Sequence, residues 1–397
     1  MKKLMMLLLV VAVVVSLVFT GCAPKGKPAE PEPIPATWVI QTTPAVPFAT
    51  VEQAGQEQLY GMTTGTLPDD TFDGLMVKPD GTSYKFAYLA AALECEFMTF
   101  ADGIGESYAR RAGGEWIVLD AKGQAVTHVE NIEACIAMGD IDAILSEGTD
   151  PAAVVPALGR ASDAGIACFG LFNEAYSDRL VSSSIRDWSK QGEMGGEKFK
   201  ELVDARGEPV TVYEIWGILG NPAAMGKDMG FRTVCENHPL ITIVEGPECC
   251  WMPAMATDAI ISVFSTHPEW TAVFDMGSMT GGVIPGLSTI GRLYPVGHPE
   301  HVTIVALDGA ATTLEAMKDG YVDIVAGNSP WEPMEVCLMS AIKYVCLGKT
   351  VERYYFNTFF YITPENCNEE YLWGNCIGKV DYDDLPILDV SNIIEFP

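Results

Sequence analysis

The sequence predicts an α/β protein of two doubly wound, parallel-sheet domains in series. Three observations predict it. From Tyr84 onward, short apolar runs alternate with amphipathic stretches of helical period, which is the pattern of βαβ units and a parallel sheet. That alternation runs through twice. A chain of 397 residues, less an amino-terminal leader, also fits about two domains at roughly 100 to 200 residues each.

The leader comes first. Lys2 and Lys3 precede an apolar run over residues 4–19, which ends in Phe19-Thr20-Gly21-Cys22. The run is shorter than the roughly 20 residues a stable membrane span needs, and small residues open a cleavage site behind it. This is the pattern of a lipoprotein signal: residues 1–21 are removed, and the Cys22 thiol and new amino terminus take acyl chains. Each chain contributes about 0.8 kcal/mol per buried CH₂, so several together hold a protein durably at a membrane. The expected location is extracytoplasmic and lipid-anchored. Residues 22–36, rich in proline and charge, run extended as a linker. Residues 37–83, rich in Thr, Gly, Pro and Asp, show no clear period, and their role is not legible.

In the first half of the body, strands are expected at 85–93, 116–120, 143–146 and 167–171, with helices such as 124–138 and 151–164 between them. The second half places strands at 210–215, 241–245, 272–275, 303–307 and 324–326. Its helices fall at 190–203, 223–235, 258–265 and 312–318.

The formal net charge of −29 repels nucleic acid, and loss of Lys2 and Lys3 makes it more negative still. Eleven cysteines include Cys22. Most of the others sit in apolar runs and read as buried thiols. Cys367 and Cys376, in a polar tail, are the best disulfide candidates, and the sequence leaves open whether they pair. No cysteine or histidine spacing matches a metal site, and no Gly-x-Ser-x-Gly elbow, Walker loop or Gly-rich dinucleotide turn is present. No cofactor is expected, and no catalytic residue stands out.

Several stretches carry a resemblance. Ile117-Val118-Leu119-Asp120-Ala121, Asp140-Ile141-Asp142-Ala143-Ile144-Leu145 and Gly148-Thr149-Asp150-Pro151 come first. Asp187 with Gly192 and Gly196, Gly230-Phe231, His267-Pro268-Glu269, Leu307-Asp308-Gly309 and Met317-Lys318-Asp319-Gly320 follow in order. In that order and spacing, residues 84–366 resemble the periplasmic sugar-binding proteins of ATP-driven importers, the ribose/galactose type of periplasmic binding protein. The resemblance implies two Rossmann-like lobes joined by a three-segment hinge and closing on a ligand. It assigns 84–183 and 329–350 to the amino-terminal lobe, 184–328 and 351–366 to the carboxyl-terminal lobe, and 367–397 to a tail.

In parallel sheets, ligands bind beyond the carboxyl ends of the strands. The resemblance implies ring stacking on a sugar by Phe97 and Trp251, and hydroxyl contacts from Asp308 and Asn328. Phe172 and Asn173 stand where the family usually has Asp-Arg. Two departures suggest a more apolar pocket, with Trp216 and Trp331 adding to its wall: Met225, with Lys227 two residues on, replaces a sugar-clamping arginine, and Gly277 replaces an asparagine. The expected function is capture of a small sugar-like ligand and delivery to a membrane permease of an ABC transporter. The rivals are a receptor subunit reporting to a chemoreceptor or histidine kinase, and a hydrolase-type enzyme.

Overall fold

The structure is a computed structural model that describes Thr63, residues 65–173 and residues 177–396. The signal, Cys22, the linker and residues 37–62 lie outside the described residues.

Two six-stranded sheets organise the molecule. The first contains β2 (Lys85–Ala90), β3 (Glu115–Asp120), β4 (Ala143–Ser146), β5 (Ala167–Phe172), β6 (Leu180–Ile185) and β12 (Tyr354–Phe356), in the order β3-β2-β4-β5-β6-β12 and all parallel. The second contains β7 (Val210–Ile215), β8 (Ile241–Val244), β9 (Ala272–Asp275), β10 (Thr303–Asp308), β11 (Ile324–Gly327) and β13 (Phe360–Ile362), in the order β8-β7-β9-β10-β11-β13. Only β13 runs antiparallel. Each sheet reverses its winding between its first and third strands, which places a topological switch point at β2/β4 and another at β7/β9.

Helices α1 (Glu96–Arg111), α2 (Ala125–Met138) and α3 (Pro151–Asp163) connect the first sheet. The second uses α4 (Trp188–Arg206), α5 (Pro222–Cys235), α6 (Pro253–Thr266), α7 (Thr280–Thr289) and α8 (Ala311–Lys318). Helix α9 (Trp331–Ala341) returns to the first lobe, where Trp331 Nε1 donates to Tyr108 OH of α1 at 2.7 Å. Strands β4, β9 and β10 are buried along their whole length, as expected of parallel strands covered on both faces.

Three segments cross between the lobes, after β6, after β11 and between β12 and β13. The sequence expectation assigned 351–366 to the carboxyl-terminal lobe. Strand β12 instead pairs with β6 in the first sheet, so the third crossover lies between Phe356 and Phe360. The same pairing keeps Ser184 and Ile185 in the first lobe, because Ser184 faces Tyr355 and Ile185 faces Phe356.

The segment before the first lobe is a cover for α1. Phe72 packs on Tyr108 with ring centroids 5.1 Å apart, and β1 (Thr66–Leu67) pairs antiparallel with β14 (Ile387–Leu388) of the tail. Cys367 and Cys376 are free thiols, donating to Pro364 O and Glu370 O respectively.

Candidate ligand-binding site

All six sequence-predicted site residues lie at or just beyond the carboxyl edges of the two sheets, and the structure brings five of them into two groups and leaves Trp251 apart. Phe97 and Phe172 meet edge to face in the first lobe at 5.0 Å, both nearly inaccessible, with the ring of Trp373 5.5 Å from Phe97. Asn173 follows directly and donates from Nδ2 to Glu147 Oε1 at 3.4 Å. Glu147 directly follows β4, the neighbour of β5, and accepts across the switch point from the Ala91 backbone at 3.2 Å. Burial pushes its carboxyl up to about 8.

In the second lobe, Asp308 and Asn328 are brought together. Asp308 Oδ1 accepts from Asn328 Nδ2 at 2.7 Å, Lys227 Nζ at 2.9 Å and Gln191 Nε2 at 3.0 Å, and its Oδ2 accepts from Lys227 at 3.0 Å. Lys227 also donates to Met276 O at 2.9 Å. The lysine arrives through close helix packing: a Cβ on Gly192 of α4 would collide with Lys227 O of α5. Gly277 completes the arrangement. Its φ is +127°, and a Cβ there would run into Asp308 Oδ2 and stand 3.1 Å from Lys227 Nζ. Asp275 shapes that turn by accepting from the Gly277 backbone at 2.9 Å and from Thr280 Oγ1 at 2.7 Å.

Where a more apolar pocket was expected, the position holds a buried ion pair: Lys227, two residues beyond Met225, places its ammonium against Asp308, and Gly277 leaves the room for it. Trp331 turns into the first lobe against Phe100 and Tyr108. Trp251 lies over the backbone of Gly217 at the far edge of the second sheet, apart from the Asp308 cluster in the strand order.

Backbone strain marks the same positions. The non-glycine residues with positive φ among the described residues are Lys122, Phe172, Cys250, Trp251, Ser278 and Asp308. Phe172, Trp251 and Asp308 are three of the predicted site residues, and Cys250 and Ser278 adjoin Trp251 and Gly277. Such conformations cost about 1–3 kcal/mol each and collect where function holds the chain.

Two groups were missed in the sequence. Arg186, at the end of β6, is buried; its Nη2 donates to Ser329 O at 2.6 Å and its Nε to Thr358 O at 3.4 Å, so one guanidinium ties all three crossovers. Desolvation lowers it to about 10. Trp188 has Arg186 5.9 Å and Lys227 5.0 Å from its ring centroid. The sequence signal for Arg186 was an Arg-Asp pair one residue beyond a run of three serines.

Buried polar atoms normally find partners. Here Asn173 Oδ1, Arg186 Nη1, Trp188 Nε1, Gln191 Oε1, Trp216 Nε1 and Asn328 Oδ1 have none within the protein, and they gather at the carboxyl ends of β5, β6, β7 and β11. The set holds three donors and three acceptors, beside the aromatic rings. This suits a ligand that both gives and takes hydrogen bonds and has apolar faces.

Comparison with known proteins agrees with the fold. The chain is 23% identical over 211 residues to a D-apiose import binding protein of Actinobacillus succinogenes, a match covering 52% of this chain and 65% of that protein. A solute-binding protein of an ABC transporter from Mycobacterium smegmatis, solved with bound glycerol, is 25% identical with a TM-score of 0.65, covering 72% of this chain and 95% of the other. A galactofuranose-binding protein is 20% identical with a TM-score of 0.67, covering 72% and 97%. The model of the periplasmic binding protein domain matches residues 86–350, a span that takes in β3–β11, nearly all of β2 and the first two crossovers, and the chain belongs to the periplasmic binding protein family.

Proposed function

We infer that this protein is an extracytoplasmic solute-binding protein that captures a sugar or polyol between its lobes and passes it unchanged to the permease of an ABC importer. The observation that carries this is the set of buried, unpartnered donors and acceptors at the strand ends, beside aromatic rings and strained backbone. Hydroxyl groups, each donor and acceptor at once, match that mixed set better than a carboxylate or an amine would. The relatives that bind D-apiose, galactofuranose and glycerol support the same ligand class. Phe97, Phe172 and Trp251 would cover apolar sugar faces, and Asn173, Asn328 and Asp308 would meet hydroxyls. Lobe closure around the three crossovers would retain the ligand, since a cleft ligand makes contacts in the closed state that it lacks in the open one. Acylation at Cys22 would hold the protein at the membrane beside its permease.

A thermal-shift panel of D-apiose, galactofuranose, glycerol and common pyranoses tests this reading. A ligand at 100 times its Kd stabilises the folded state by about 2.7 kcal/mol. At least one member should raise the melting temperature in proportion to the logarithm of its concentration. No shift with any of them contradicts the ligand class.

A further inference from the structure

The tail after β13 begins on the second lobe and ends on the first. On the second lobe, Trp373 Nε1 donates to Asp308 O at 3.1 Å, Lys318 Nζ of α8 donates to Asn375 Oδ1 at 2.6 Å, and Gly374 sits against Gly309 O. On the first lobe, Ser107 Oγ donates to Tyr382 O at 2.5 Å, Tyr108 OH donates to Pro386 O at 2.6 Å, and Arg110 pairs with Asp383 at 2.6 Å. Leu388 N then donates to Glu335 Oε2 at 3.1 Å as β14 pairs with β1. Between these anchorages, the Trp373 ring stands edge to face on Phe97 of the first lobe while its indole N–H holds the backbone of Asp308 in the second. Trp373 is 1% exposed, so both contacts are made away from water.

A single side chain thus joins the principal candidate ligand contacts of the two lobes. Hinge motion about the crossovers changes the distance between Phe97 and Asp308, and the tail cannot follow both. One set of its contacts must break for the lobes to separate. The first-lobe anchorage is the larger, with a strand pairing and several backbone hydrogen bonds, so the Trp373 end is the part that releases.

We propose that the carboxyl-terminal tail is an interlobe clasp, latched by Trp373, that biases the cleft toward its closed state and makes tail release part of opening. This rests on reading the cleft as a closing ligand site, but its test needs no ligand. Hydrogen–deuterium exchange of the full chain, without added sugar, should show several-fold faster uptake in Trp373→Ala at the switch-point loops 147–150 and 216–221 and at the crossovers 186–188 and 328–331. The buried strands β4 and β9 should keep wild-type uptake. Trp373→Phe, which retains a ring and removes the N–H, should give a smaller increase at the same segments. Wild-type uptake at those segments in both variants overturns the clasp. So does an equal rise across β4 and β9 in both, because that is the signature of a packing residue. Failure of the sugar panel leaves either result readable, since lobe coupling is measured in the ligand-free protein.

Discussion

The Lys227 ammonium lies 2.9 Å from Asp308 Oδ1 and 3.0 Å from Oδ2, with both side chains almost wholly buried at the carboxyl edge of the second sheet. This pair links the two departures noted in the sequence. The resemblance implied an arginine at Met225 and an asparagine at Gly277; Lys227 holds a cation two residues on, and the pair fills the space that a side chain on Gly277 would need. Asp308 is consequently engaged by three side chains before any ligand is considered.

Removing one partner of a buried pair strands the other charge, which costs about 3–5 kcal/mol. Asp308→Ala should therefore lower the unfolding free energy by about that amount in urea titrations. The double variant Lys227→Met, Asp308→Leu should recover most of the loss. A single variant of wild-type stability would show that the pair is not formed in solution.

Gly277→Ala probes the same geometry from the backbone side. Its φ of +127° is unfavourable to any side chain, and the added Cβ meets Asp308 Oδ2. The variant should be destabilised by about 2 kcal/mol or more. Because the clash is with the Asp308 carboxylate, the loss should shrink in the Asp308→Ala background, which removes those atoms, and thermal unfolding of all four proteins measures the difference.

Glu147 predicts a pH dependence. Burial raises its carboxyl from the usual 4.5 to about 8 in the folded state, so between those values the folded protein holds a proton that the unfolded chain has lost. Its contribution is complete below about 4.5 and is lost as pH rises toward 8. Glu147→Gln cannot ionise. Melting temperatures of wild type and variant should agree best in acid, diverge in favour of the variant up to pH 8, and then keep a constant difference; parallel profiles throughout would show that Glu147 titrates normally.

Much of this architecture was legible because parallel strands announce themselves as short apolar runs. The nine strands expected from the apolar pattern correspond to β2–β5 and β7–β11. Strand β6 was not legible because its core is Ser182-Ser183-Ser184, which reads as a loop. Those serines are buried through ladder pairing with β12 and through bonds to Arg353 and Asn357, partners more than 150 residues away in sequence. Helix α7 was hidden by Gly281, Gly282, Pro285 and Gly286, poor helix formers overridden by packing against α6, where Gly286 abuts Ile260. At the site, the strand-end positions of Asp308 and Asn328 could be read from the pattern. Lys227 and Trp373 could not, since each reaches Asp308 only through tertiary contacts that no local spacing encodes.

Lipid anchoring makes its own prediction. Cys22→Ala should leave the protein unprocessed or release it from the membrane fraction, because acylation is the only anchor expected after cleavage. Membrane retention of a correctly cleaved variant would contradict anchoring through Cys22.

Calorimetric titration of the full chain with D-apiose, galactofuranose and glycerol, followed by recovery of the ligand, tests ligand capture most directly. At least one should bind one to one and be recovered unchanged, and Trp251→Ala should weaken that binding by about 1–3 kcal/mol through loss of stacking area, with circular dichroism unaltered. Absence of binding by every one of them, or conversion of the ligand to another compound, would contradict a sugar-capturing cleft.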